Sequence, residues 1–97
     1  MFIMFIIYSI WLMEIRLVYN EDSQIERIKN ANLKPNLFFH FIDERTRKGL
    51  KESWKVKGGF AARQSPFAVI YDGEKPVKAF YTEADDDIIE SLINYLK

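Results

Sequence analysis

The sequence predicts an α/β domain with element order β-α-β-α-β-β-α, a mixed four-stranded sheet flanked by helices behind an apolar N-terminal extension. Three observations carry this expectation. "EIRLVY" alternates with the period of a strand, two later stretches carry helix start and stop signals, and an Asp-Gly turn separates the apolar runs of "PFAVIYDGEKPVKAF". At 97 residues the chain has room for one core and not for a second.

Each element is read in chain order. In "EIRLVY", Ile15, Leu17 and Tyr19 alternate with Arg16 and Val18, which marks the first strand. Ser23 at an N-cap with Glu26 three residues on forms a capping-box signature, opening a helix with Ile25 and Ile28 on one face and Asn30, Asn32 and Pro35 at its close. "NLFFHFI" is almost continuously apolar, as a central strand covered on both faces would be. Asp43 is expected to cap a second helix running to about Lys57, with Leu50 and Trp54 on one face, a basic exposed face, and Gly58-Gly59 as its stop. "PFAVIY" and "VKAFY" then pair as an antiparallel hairpin with a loop of several residues around Asp72-Gly73. The last helix gathers Asp85, Asp86 and Asp87 in its first turn, where the helix dipole favours negative charge, and repeats Ile88, Leu92 and Leu96 on its inner face.

The head, "MFIMFIIYSIWLM", stands apart and divides the chain into an extension, 1–13, and a domain, 14–97. As a helix it would span about 20 Å against a hydrocarbon layer of about 30 Å, too short to cross comfortably. It lacks the basic flank and small-residue cleavage site of a secretory signal. Three readings stay open: a domain that begins at Met13 with the rest an upstream extension, a segment packed on the domain or a partner subunit, and a weak membrane anchor. Membrane contact is expected only through these residues, and the protein is expected to be cytoplasmic.

Composition narrows the chemistry. Formal charge is zero, from 14 basic and 14 acidic residues, so no global pull toward nucleic acid arises and no nucleic-acid partner is expected. The eight Phe, five Tyr and two Trp read as core. The absence of cysteine removes disulfides, thiolate metal sites and thiol nucleophiles together. His40, the one histidine, sits among apolar neighbours and reads as a satisfied, partly buried side chain. No metal-ligand spacing, phosphate-binding glycine loop or nucleophile elbow is present, and neither a metal nor a cofactor is expected.

The element order resembles that of the thioredoxin and glutaredoxin superfamily over residues 14 to 97. "SPFAVIYDG" followed by "KAFYTEADDDIIESLINYL" is similar to the second half of that family, and Ser65-Pro66 takes the place of its cis-proline. The family's redox chemistry uses a cysteine at the N-terminus of the first helix, where this chain reads "NEDSQ", Asn20 to Gln24. The resemblance therefore implies a cysteine-less, redox-inactive binding or structural module. It also implies a groove for an extended peptide or protein partner, formed by Asp22, Ser23, Lys57, Arg63, Ser65, Pro66, Thr82 and Asp85, with Lys57 or Arg63 as a basic rim. The alternative is a glutathione-binding enzyme like the N-terminal domain of a glutathione transferase, with Ser23 or Tyr19 activating the bound thiol. Thr82 and Glu83 replace the family's paired glycines, which bears on the fit of glutathione. Oligomerisation would be needed to complete a second substrate pocket.

Overall fold

Strand β1 (Met13–Tyr19) alternates as the sequence requires: Ile15 and Leu17 enter the core on one face of a sheet and Val18 enters on the other. The computed structural model describes residues 13–58, 65–81 and 87–97. Residues 1–12, Arg63, Thr82 and Asp85 lie outside them. Strands β2 (Leu37–Asp43), β3 (Phe67–Asp72) and β4 (Lys75–Phe80) join β1 in one sheet ordered β2-β1-β3-β4. β1 runs parallel to β2 and antiparallel to β3, and β3 is antiparallel to β4, which makes the sheet mixed as expected. Helices α1 (Asp22–Asn30), α2 (Arg47–Lys57) and α3 (Ile88–Leu96) flank it.

The two faces are covered unequally. Ile28 of α1 and Ile88, Ile89, Leu92 and Leu96 of α3 pack on Ile15, Leu17, Ala68 and Ile70. On the opposite face Val56 of α2 meets Val18, Ile42, Phe67 and Val69. Among the described residues one helix covers that face and leaves part of the sheet open.

That inequality corrects the reading of β2 as a central strand. Among the described strands it lies at the edge, and its apolar run is one-sided: Leu37, Phe39 and Phe41 pack toward α1 and α3, while Phe38 is 54% exposed on the other face. His40 is exposed too, with Nε2 3.2 Å from Glu52 Oε2 of α2. The central places belong to β1 and β3, which carry most of the fully buried side chains.

Caps differ from expectation by a few residues, for identifiable reasons. The N-cap of α1 is Glu21 rather than Ser23, because the Gln24 amide oxygen accepts the N–H groups of Asn20 (3.0 Å) and Glu21 (3.3 Å) and its Nε2 donates to Asn20 Oδ1 (3.1 Å). Ser23 is exposed on the first turn. Thr46, not Asp43, caps α2: the Gly49 N–H donates to Thr46 Oγ1 (2.9 Å), which itself donates to the Asp43 carbonyl (3.0 Å). The buried face of α2 is Gly49, Ser53, Val56 and Lys57 instead of Leu50 and Trp54; Trp54 is 63% exposed. Gly49 explains the rotation. A Cβ there would fall inside the Asp43 carbonyl oxygen, so the small residue lets helix backbone press on the end of β2.

The hairpin loop is also tighter than expected, two residues rather than several, with Gly73 at φ 66°. β4 begins at Lys75 and includes Pro76, tolerated on an edge beside the register shift between Ile70 and Tyr71. In α3, Asp87 is the N-cap and accepts from the Glu90 N–H (3.1 Å), while Arg27 of α1 donates two hydrogen bonds to its carboxylate (3.2 and 3.0 Å). Among the described residues no helix is long and apolar enough to cross a membrane.

Gly49→Ala is expected to lower unfolding free energy by about 3 kcal/mol, the upper part of the overpacking range. Lys48→Ala, on the exposed face, should stay within about 0.5 kcal/mol, and urea unfolding of the two variants checks the contrast.

Asp87 supplies a pH test. Hydrogen bonds from Arg27, then from the Glu90 N–H, hold its carboxyl below the ordinary range. The unfolded chain therefore takes up that proton first as pH falls, so the contribution is complete above about pH 4 and is lost through the lower folded value. Asp87→Asn keeps a capping oxygen without the charge. Its stability should lie below that of the parent at neutral pH, and the gap should close as pH falls below about 4 in a series of denaturation curves.

Candidate functional site

The antiparallel register places Val18 opposite Phe67, so the chain entering β3 at Pro66 passes beside Tyr19 at the end of β1. The Ser65–Pro66 peptide bond is cis. Proline opens the strand, where it has no ladder donor to lose. Around this corner lie the end of β2, the start of α1 and the last turn of α2, and two charge clusters tie them together.

Arg45 makes the first cluster. Its Nε and Nη2 donate to the Asp43 carboxylate (2.9 and 3.1 Å), and Nη2 also donates to Asp22 Oδ1 at 2.6 Å. The guanidinium lies 5.7 Å from the centre of the Tyr19 ring. Hydrogen bonds to Asp43 first and Asp22 second raise the Arg45 pKa above its already high ordinary value. Those from the Arg45 side chain, then from its N–H, hold Asp43 below the usual carboxylate range. Asp22, in the first turn of α1, is thus matched by a cation of the same chain.

Lys57 makes the second. It is only 6% exposed, and its ammonium donates to Ser65 Oγ (3.1 Å) and reaches Glu44 Oε2 at 3.4 Å. The Glu44 N–H in turn donates to the Tyr19 carbonyl (3.0 Å), linking the ends of β1 and β2. Lys57 therefore does not form the exposed basic rim expected from the sequence. It lies on the buried face of α2 beside Val56, and its stem carries the charge inward to Ser65.

Of the residues singled out from sequence, Asp22, Lys57, Ser65 and Pro66 come together at this corner and Ser23 stands exposed at its edge. Arg63, Thr82 and Asp85 lie outside the described residues. Glu44 and Arg45 went unrecognised because they read as part of a solvated charge run. The two-residue spacing of Asp43 and Arg45 was the visible signal, but their link to Asp22 is tertiary. Among the described residues no group of three or more His, Asp or Glu converges as a metal site would.

No protein-family model matches the chain, and no curated protein matches it. Solved structures do. The crystal structure of Trxlp from Edwardsiella tarda EIB202 superposes with a TM-score of 0.55 at 13% identity, over 98% of this chain and 92% of its own. The fold is thioredoxin-like. The crystal structure of a designed protein matches similarly, with a TM-score of 0.54 and 14% identity over 94% of this chain and 87% of its own. At these identities the likeness extends to architecture alone.

The chemistry available at the corner follows from its side chains. The first-turn position at which a thioredoxin-like redox protein would hold a thiolate carries Glu21, Asp22 and Ser23, with Asp22 bound to Arg45.

Lys57→Ala should cost about 2–3 kcal/mol, less than the ~3–5 of a fully buried broken pair because Glu44 retains some water. Lys57→Met, which keeps the stem but not the charge, should recover part of the loss, and chemical denaturation of both variants measures it.

Proposed function

We propose that the chain is a thioredoxin-fold binding module that works without thiol chemistry and receives an extended segment of a partner protein at the Ser65–Pro66 corner. The observation that carries this reading is the Lys57 ammonium, drawn out of water to hold the Ser65 side chain and Glu44. Desolvating a lysine costs free energy unless its partners are well placed, and here the arrangement fixes the corner. The Ser65 backbone is then offered in a defined geometry next to Tyr19, which suits main-chain recognition of an extended chain. A glutathione-dependent activity has less support, because Lys57 and Arg45, the cations at the corner among the described residues, are engaged by Glu44, Ser65, Asp43 and Asp22.

The test is a selection of eight-residue peptides displayed on phage against the full chain, followed by amide NMR titration. Selected peptides should shift Ser65 and Phe67 and lose at least about tenfold in affinity to Ser65→Trp, equivalent to 1.4 kcal/mol. Glutathione at millimolar concentration should shift neither amide, and insulin reduction should stay at background. Peptides that bind without disturbing Ser65 would refute the corner as the site.

A further inference from the structure

The sequence of α2, RKGLKESWKVK, sets its charges on one side. At 100° per residue, Arg47, Lys48, Lys51 and Lys55 fall within about a third of the helix circumference, directly opposite the buried Gly49, Ser53, Val56 and Lys57. All four cations are exposed. Trp54 borders this stripe on one flank and is 63% exposed, while Glu52, the one carboxylate of the helix, borders it on the other and lies 3.2 Å from His40. Among the described residues no carboxylate pairs with any of the four cations. A hollow of about 510 Å³ opens on this face, its described lining being Arg47, Lys48, Lys51, Glu52 and Lys55.

This arrangement costs stability. Arg47 and Lys48 occupy the first turn, which holds no acidic residue, although the free amides and dipole there favour negative charge. Arg47 and Lys51, and again Lys51 and Lys55, are like charges four residues apart, a spacing at which they repel. Trp54 adds a large apolar ring left in water. None of these side chains belongs to the core, and local choices that oppose their own helix mark a surface kept for recognition.

We infer that the outward face of α2 docks an acidic helical segment of a partner protein, its carboxylates set against Arg47, Lys48, Lys51 and Lys55 and an apolar side chain against Trp54. The cations repeat over about 12 Å of helix axis, a length that a partner helix of about two turns matches. Tryptophan and arginine are the side chains from which protein interfaces draw much of their binding energy, and the charge around them selects the partner. An extended lattice of phosphates, in nucleic acid or on a bilayer, would reach past the stripe to Glu52 and the other carboxylates of a chain whose net charge is zero. A second copy docking by the same face would set the four cations against their equals. The stripe faces away from the sheet, whereas Lys57 holds the Ser65–Pro66 corner from the buried side of the same helix, so either assignment can fail without the other.

The probe is an end-blocked helical peptide of alanine, leucine and glutamate, compared with its counterpart carrying lysine for glutamate, each titrated into the full chain at low salt and followed by amide NMR. The acidic peptide should bind at least about tenfold tighter and shift the amides from Lys48 to Lys55, and added salt should weaken it. The exposed double variant Lys51→Glu/Lys55→Glu should reverse the preference and, because it relieves repulsion, should unfold in urea at a midpoint no lower than that of the parent. Trp54→Ala should weaken the acidic peptide by at least about threefold. Equal binding of the two peptides, shifts confined to Ser65 and Phe67, no binding, or a lower urea midpoint for the double variant would each overturn the inference. So would self-association of the parent that the double variant abolishes, or displacement of the acidic peptide by phosphatidylserine vesicles or oligothymidylate.

Discussion

The antiparallel ladder between β1 and β3 is the interaction on which the rest of the structure depends. It joins the parallel unit β1-α1-β2 to the hairpin and last helix, and it buries Ile15, Leu17 and Val18 against Phe67, Ala68, Val69 and Ile70 with none of their surface left to water. Because side chains alternate along both strands, one ladder feeds both faces: Ile15 and Ile70 toward α1 and α3, Val18 and Phe67 toward α2. A charge in such a strand would ordinarily be costly. Arg16 is accommodated because its Nε donates to Glu14 Oε2 of the same strand (2.8 Å) and its guanidinium lies 4.3 Å from the centre of the Tyr71 ring on β3. The same register brings Pro66 to Tyr19, so the candidate site is a direct product of the ladder.

At that site, local charge pairing occupies the start of α1. The start of α1 attracts negative charge through its free amides and dipole, and Glu21 and Asp22 provide it. A carboxylate in that position is a poor nucleophile beside a thiolate, and the Asp22 carboxylate is further committed to Arg45. The corner therefore keeps the geometry of its fold, and its charges are paired with one another.

The elements legible in the sequence were those whose local and tertiary demands agree. β1 and β3 showed their apolar residues at the correct spacing, Asp72-Gly73 marked the hairpin, and Ile88, Leu92 and Leu96 faced the core as their four-residue repeat requires. β2 misled because a continuous apolar run does not say which faces are covered; coverage depends on how many helices reach each side of the sheet. Trp54 misled because hydrophobicity was weighed above size, whereas the close approach of α2 to Asp43 demanded Gly49 and turned the large ring outward. The site was half legible. Asp22, Ser65 and Pro66 could be placed by resemblance to the fold, but the pairing of Arg45 with Asp22 and of Lys57 with Ser65 joins residues of different elements and leaves no periodic trace.

The formal charge of zero conceals a segregation that only the fold exposes. At the corner, Arg45 and Lys57 pair with Asp22, Asp43 and Glu44 within hydrogen-bond reach, so those charges act mainly on one another, with one carboxylate in excess. On α2 the opposite holds: Glu52 pairs with His40 at the surface, and among the described residues no carboxylate pairs with Arg47, Lys48, Lys51 or Lys55, which face water. Exposed cations a helical turn apart repel one another slightly and add nothing to the core, so their stabilising role is small.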